Sequence, residues 1–216
     1  MRRTALRAAV AFCALALAGC GLSERPYLAR RDWPLTVNRP TAIPPRRGGR
    51  VLLVRGVEAG PGIESRGLQT LGPDGSLDVS FYEEWAALPA EGVESDLRNW
   101  LEQSGLFAAV VVPGSQASPD LVLEARLAAL IADPGAHEAR ATMSVLLIRQ
   151  GLLSSQVLKE AVLTGRATLP DRADVPAKVA AMKAAVADLL AQVEKTVQPF
   201  AGTSTTAPAP HARRRS

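Results

Sequence analysis

Residues 121–168 read LVLEARLAALIADPGAHEARATMSVLLIRQGLLSSQVLKEAVLTGRAT, and the fold turns on how this stretch is parsed. Leu121 to Leu127 alternates over part of its length, as a half-buried strand does. Asp133-Pro134-Gly135 is a turn signal. Ala139 to Arg149 reads as a second strand, with Met143, Val145 and Leu147 on one face. A turn around Gly151 leads into Ser155–Thr168, where Val157, Lys159, Ala161 and Leu163 suit a third strand. Three long strands in succession make a meander. Short apolar runs also suit helices, so helical readings of 121–131 and 155–165 stay open.

Downstream, Asp174 is positioned as an N-cap and Pro176 sits early, where a missing N–H costs little. Val175, Val179, Met182, Val186, Leu189, Val193 and Val197 then repeat at helical spacing until Pro199. Upstream, Val51–Val57 reads as a strand, Ile63–Leu71 as a weaker one, and Ser76–Tyr82 as a third, with Leu77, Val79 and Phe81 on one face. Pro73-Asp74-Gly75 links the last two as a hairpin turn. Val93, Leu97, Trp100, Leu101 and Leu106 mark a helix that ends at Ser104-Gly105, with Asp96, Arg98 and Glu102 off its apolar face. Phe107–Val112 is a further strand. The sequence therefore predicts an α+β fold: a single domain with an antiparallel-rich β-sheet and two main helices packed on one face.

That domain occupies residues 50–199 of the 216. The preceding 20–49 segment carries Pro26, Pro34, Pro40, Pro44 and Pro45, a density that favours an extended tether. Trp33, Leu35 and Val37 alternate within it, as a short edge strand would. Residues 200–216 are rich in Ala, Pro, Thr and Arg and are expected to be a disordered basic tail. The chain has 25 basic and 21 acidic residues, a formal charge of +4. Without Arg2, Arg3, Arg7 and Arg213–Arg215 the charge is about −2, so the basic character lies at the two ends. This argues against a nucleic-acid-binding face on the folded body.

Residues 1–19 have the make-up of a signal peptide: a basic start at Arg2, Arg3 and Arg7, then an apolar run from Ala8 to Gly19. Spanning a bilayer takes about 20 apolar residues, so this run is too short to cross. Leu17-Ala18-Gly19-Cys20 resembles the lipobox of bacterial lipoproteins. The resemblance implies that the Cys20 thiol receives a diacylglyceryl group, that cleavage precedes Cys20, and that the new amino group is acylated, with palmitate as the expected chain. The plainer alternative is a secretory signal with a cysteine at its cleavage site. Cys13 leaves with the signal, so the exported chain would carry one cysteine and no internal disulfide, which favours the lipid. Gly21 stands where inner-membrane retention would call for Asp, so the outer membrane, periplasmic face, is the expected location.

Phe81-Tyr82-Glu83-Glu84-Trp85-Ala86-Ala87-Leu88-Pro89, followed by the 93–106 helix and Ser104-Gly105-Leu106-Phe107, resembles the ABC-type transport auxiliary lipoprotein family. The resemblance extends over residues 17–197. The matched features are an aromatic at Tyr82, a tryptophan at Trp85, a proline soon after, a helix, and a strand opening on Gly-x-Phe. Tyr27 or Trp33 corresponds to the family's Tyr-rich first strand. The resemblance implies a non-enzymatic role beside an ATPase, a permease and a mammalian-cell-entry (MCE) substrate-binding protein that together move lipids or other hydrophobic molecules. An MCE-domain protein is thus the implied partner. Phospholipid contact, and a homo-oligomer paired through a free sheet edge, stay open. Tyr82 and Trp85 have two readings: core residues that orient the following helix, or a contact with the partner protein.

Catalytic chemistry has little to stand on. His137 lies beside a predicted turn and His211 in the tail. There is no Cys/His ligand cluster, no Gly-x-Ser-x-Gly elbow and no phosphate loop. Glu83 and Glu84 are adjacent on a strand and point to opposite sides, so they cannot pair as acid and base. No metal or cofactor is expected. A structural or assembly lipoprotein without lipid cargo is the competing reading, and an envelope enzyme a distant third.

Overall fold

The computed structural model describes residues 29–151 and 154–202. The signal segment, Cys20, Tyr27 and the Arg213–Arg215 tail lie outside them. The spine of the sheet is β6 (Leu121–Asp133), and the 121–168 meander is all strand: β6 pairs antiparallel with β7 (Glu138–Gln150), and β7 with β8 (Ser155–Thr168). The helical readings of 121–131 and 155–165 are thereby excluded. On β7 the alternate residues Ala139, Ala141, Met143, Val145 and Leu147 are all buried, the pattern of a strand with one covered face.

The other edge of β6 carries two strands end to end. β2 (Val51–Ala59) runs parallel along its first half, and β3 (Gly67–Leu71) runs parallel at its far end. The turn between them is fixed to β6, since the Gly60 N–H donates to the Leu127 carbonyl at 2.8 Å. β3 forms the expected antiparallel hairpin with β4 (Leu77–Trp85). β1 (Arg31–Trp33) adds to β4 in parallel, and β5 (Ala109–Val111) adds to β2 in parallel. Four of the seven pairings are therefore parallel, although the longest ladders are antiparallel. The sheet is mixed, because the chain crosses over through α1 (Pro89–Gln103) instead of returning by hairpins.

Both helices lie on one face. α1 packs on β2, β5 and β6, and α2 (Val175–Val197) on β6, β7 and β8. The Asp174 side chain caps α2 by accepting the Ala177 N–H at 2.9 Å, and Val179 to Val197 bury the predicted stripe. A 3₁₀ turn at Gln198–Phe200, containing Pro199, follows. Gly165 of β8 lets α2 approach closely: a Cβ there would lie 2.1 Å from the Ala185 carbonyl oxygen and 2.4 Å from the Leu189 nitrogen. Side chains of α2 also reach over the rim. Gln192 donates to the Thr164 carbonyl at 3.0 Å, and Asp188 accepts the Arg166 N–H at 3.0 Å. At the opposite rim Glu94 of α1 accepts the Val57 N–H at 3.0 Å.

Residues 31–49, expected as tether, lie against the body. After β1 the chain crosses α1 as a strap that buries Leu35 and Val37, with Leu35 seated against Gly92. Its backbone is tied at Ile43 to the Gln103 carbonyl (2.8 Å) and at Arg46 to the Phe107 carbonyl (3.0 Å). Proline removes N–H donors and disfavours helix, but it does not prevent an extended chain from packing. The strap also explains Asp96. Predicted off the apolar face of α1, it is only 3% exposed because the strap covers that side of the helix.

Candidate functional site

The stretch from Phe81 to Pro89 joins the end of β4 to the start of α1. Trp85, the last residue of β4, is 1% exposed. Its backbone N–H donates to the Arg66 carbonyl at 2.7 Å, and it stands opposite Trp33 in the β1–β4 register. Four residues later Pro89 opens the helix at a position that needs no N–H partner. A fully buried ring thus stands at the sheet end of the link between β4 and α1.

Tyr82 is placed differently. It is 43% exposed, and its ring meets that of Phe81 edge-on with centroids 5.2 Å apart. The cause is a break in the hairpin: Val79 pairs with Gln69 and Glu84 with Gly67, so Ser80 to Glu83 stand against Leu68 alone. A Cβ on Gly67 would sit 2.4 Å from the Ser80 carbonyl oxygen, so the excursion requires glycine there. Phe81 is 65% exposed, and Leu77 and Val79 of the same strand are also exposed. The 77/79/81 alternation thus forms a face turned outward. One of the two signature aromatics belongs to the core and the other to the surface.

Glu83 and Glu84 take separate partners. Glu83 accepts the Trp33 indole N–H at 2.8 Å, and Glu84 is buried between Arg30 and Arg66, each at 3.0 Å. Arg30 also lies over the Phe81 ring, 4.3 Å from its centroid, a cation–π geometry.

A second cluster clamps the strap to both helices. Asp96 accepts the Val37 N–H at 3.0 Å. Burial pushes its carboxyl up to about 6, against the Val37 N–H and the charge of Lys183, which pull it down. Arg39 meets Glu194 of α2 at 3.0 and 3.1 Å, and the Trp100 indole N–H donates to the same carboxylate at 2.7 Å. Sequence reading missed Asp96 and Glu194 because their partners are separated from them by 59 and 155 residues.

A hollow of about 530 Å³ is an open groove across β2, β6 and β7, with charged side chains along it. Its charges are largely paired: Arg55 with Glu124, Arg126 with Glu58 at 2.7 Å, and Glu94 with Arg98 at 2.7 Å. His137 is exposed, its Nδ1 2.7 Å from Asp171. Among the described residues no group of three or more His, Cys, Asp or Glu could hold a metal ion. Among them, too, no helix is long and apolar enough to cross a membrane.

The family pattern described as "ABC-type transport auxiliary lipoprotein component" matches residues 34–194. The chain belongs to that family. The match begins at the strap, in keeping with its burial. Among curated proteins none matches significantly. Solved structures with the same fold include XCC0632 of Xanthomonas campestris, a DUF330 protein, at 18% identity and TM-score 0.60, covering 79% of this chain and 94% of that one. An uncharacterised protein matches at 15% identity and TM-score 0.57, over 75% of this chain and 99% of its own. The hypothetical protein CT253 of Chlamydia trachomatis matches at 9% identity and TM-score 0.51, over 70% of this chain and 96% of its own. At these identities the likeness is one of fold.

Proposed function

We propose that this auxiliary lipoprotein is held by a lipid on Cys20 at the periplasmic face of the outer membrane. There it serves, without catalysing a reaction, an MCE-type ABC transport system that moves lipids or other hydrophobic molecules between membranes. The observation that carries this reading is the joining of two features in one chain: the Leu17-Ala18-Gly19-Cys20 lipobox and a body that belongs to the auxiliary lipoprotein family. Gly21, in place of Asp, supports the outer membrane over the inner. The described side chains support docking more readily than chemistry, since the charged clusters are ion-paired and one face of β4 exposes apolar side chains.

The experiment is a pull-down of the intact lipoprotein from gently solubilised envelopes, with co-purifying proteins and lipids identified by mass spectrometry. Recovery of an MCE-domain protein is expected, and enriched phospholipid beside it would mark this chain as a cargo contact. Recovery of assembly or wall-associated proteins alone would overturn the transport reading in favour of a structural lipoprotein.

A further inference from the structure

We propose that the outward face of β4, formed by Leu77, Val79, Phe81 and Tyr82, rests on the membrane that holds the Cys20 lipid. The proposal rests on the lipid anchor proposed above and adds to it a defined orientation of the body.

Four large side chains within six residues of β4 are exposed, with Phe81 at 65% and Leu77, Val79 and Tyr82 each at 43%. Phe81 and Tyr82 touch, their centroids 5.2 Å apart, and Leu77 and Val79 precede them on the same strand; scattered exposed apolar residues are ordinary, but such a grouping marks a contact surface. The excursion at Ser80–Glu83 is built, not loose. Glu83 N–H donates to the Ser80 hydroxyl oxygen at 3.1 Å, and Gly67 makes room for it.

The position of the chain's start identifies the occupant. The described fold begins at residue 29, and β1 runs parallel to β4 with Arg31 opposite Glu83. Arg30 lies directly over the Phe81 ring. The N-terminal segment therefore leaves the body at the exposed aromatics. From Cys20 to Arg30 there are ten residue steps, which span at most about 36 Å when fully extended. A bilayer holding the Cys20 lipid is thus always within reach of this face, whereas any other partner must find it by diffusion.

The chemistry of the patch suits an interface of lipid and water. Tyr and Phe at the headgroup level, flanked by arginines whose stems lie along apolar surface, are the side chains found at membrane boundaries. The neighbouring charges balance, three against three: Arg30 and Arg66 on Glu84, Arg66 also 3.8 Å from Asp32, and Arg31 3.7 Å from Glu83. The contact is therefore apolar in origin and not an attraction of net positive charge to anionic lipid.

The test uses the full lipidated chain in vesicles of phosphatidylethanolamine and phosphatidylglycerol. A photo-reactive benzoylphenylalanine replaces Phe81 in one preparation and Val157, exposed on distant β8, in another. Lipid adducts at least fivefold more abundant at position 81 than at 157 are expected. Adducts from 81 to a second copy of the chain would assign the patch to self-association and overturn the proposal, as would equal labelling at the two positions. Intact mass separates the premises. A Cys20 without acyl chains would overturn the anchor itself, whereas an acylated Cys20 without preferential adducts at 81 would overturn only the orientation.

Discussion

Arg39 and Glu194 face each other fork to fork, with Nε and Nη2 donating to the two carboxylate oxygens at 3.0 and 3.1 Å across 155 residues of sequence. The pair lies between the strap and α2, with both side chains mostly covered, and Trp100 donates to the same carboxylate. Planar two-point pairing of this kind is stronger than the single-point contacts of exposed ions.

Arg39→Ala is expected to destabilise the fold by about 1–3 kcal/mol, with Arg39→Lys restoring only part, because an ammonium cannot reproduce the fork. A double-mutant cycle with Glu194→Gln, read by urea unfolding, should give a coupling of about 1 kcal/mol or more. A coupling near zero would mean that the strap is held without this pair, by the burial of Leu35 and Val37 and by its backbone hydrogen bonds.

Asp96 makes stability depend on pH with a defined sign. Its folded carboxyl titrates near 6, above the unfolded value of about 3.9, because burial opposes the charge. The folded state holds the proton more tightly, so the stabilisation is complete below about pH 4 and is lost as pH rises through about 6. Asp96→Asn keeps an oxygen for the Val37 N–H and removes the titration. Relative to that variant, the native chain should lose on the order of 2 kcal/mol between pH 4 and pH 7. Parallel stability curves for the two proteins would contradict this assignment.

Trp85 and Tyr82 should separate cleanly. Trp85→Ala removes a fully buried ring and is expected to cost about 3–5 kcal/mol of stability. Tyr82→Ala, at a half-exposed position, should change it by less than about 1 kcal/mol. Thermal melts measure both. Loss of partner recovery with an unchanged melt in Tyr82→Ala would mark the surface aromatic as a protein contact.

Cys20→Ala removes the one thiol that the lipobox presents. The variant is expected to move from the membrane pellet to the soluble periplasmic fraction, and its intact mass to lack acyl chains. A variant that still sediments with membranes would place the attachment elsewhere in the chain.

How much of this was legible in the sequence followed the range of the interactions involved. The meander, the two helical stripes and the Asp174 cap depend on residues close together, and local spacing reports them. The parallel placement of β2 and β3 along β6 does not, because nothing in a strand's own residues names a partner some 70 positions away. Asp96 was misplaced for the same reason: a polar residue on a helix reads as solvent-facing until a distant segment covers it. The alternation of Leu77, Val79 and Phe81 gave the strand but not the direction of its apolar face. The period fixes which residues point together, and which of the two faces stays uncovered is decided by where distant elements pack.

The helix side chains that reach over the sheet rims have a consequence for solubility. An edge strand with free N–H and C=O groups is a template for further strands, and β8, at fourteen residues, would be a long one. Gln192 and Asp188 occupy the backbone groups of Thr164 and Arg166, and Glu94 occupies that of Val57 at the opposite rim. An incoming strand could align with only part of either edge before meeting a group already engaged. The helices thus punctuate the sheet as well as cover it, and they interrupt open-ended growth, the first step toward a fibre, along β8 and along the part of β2 that extends past β5.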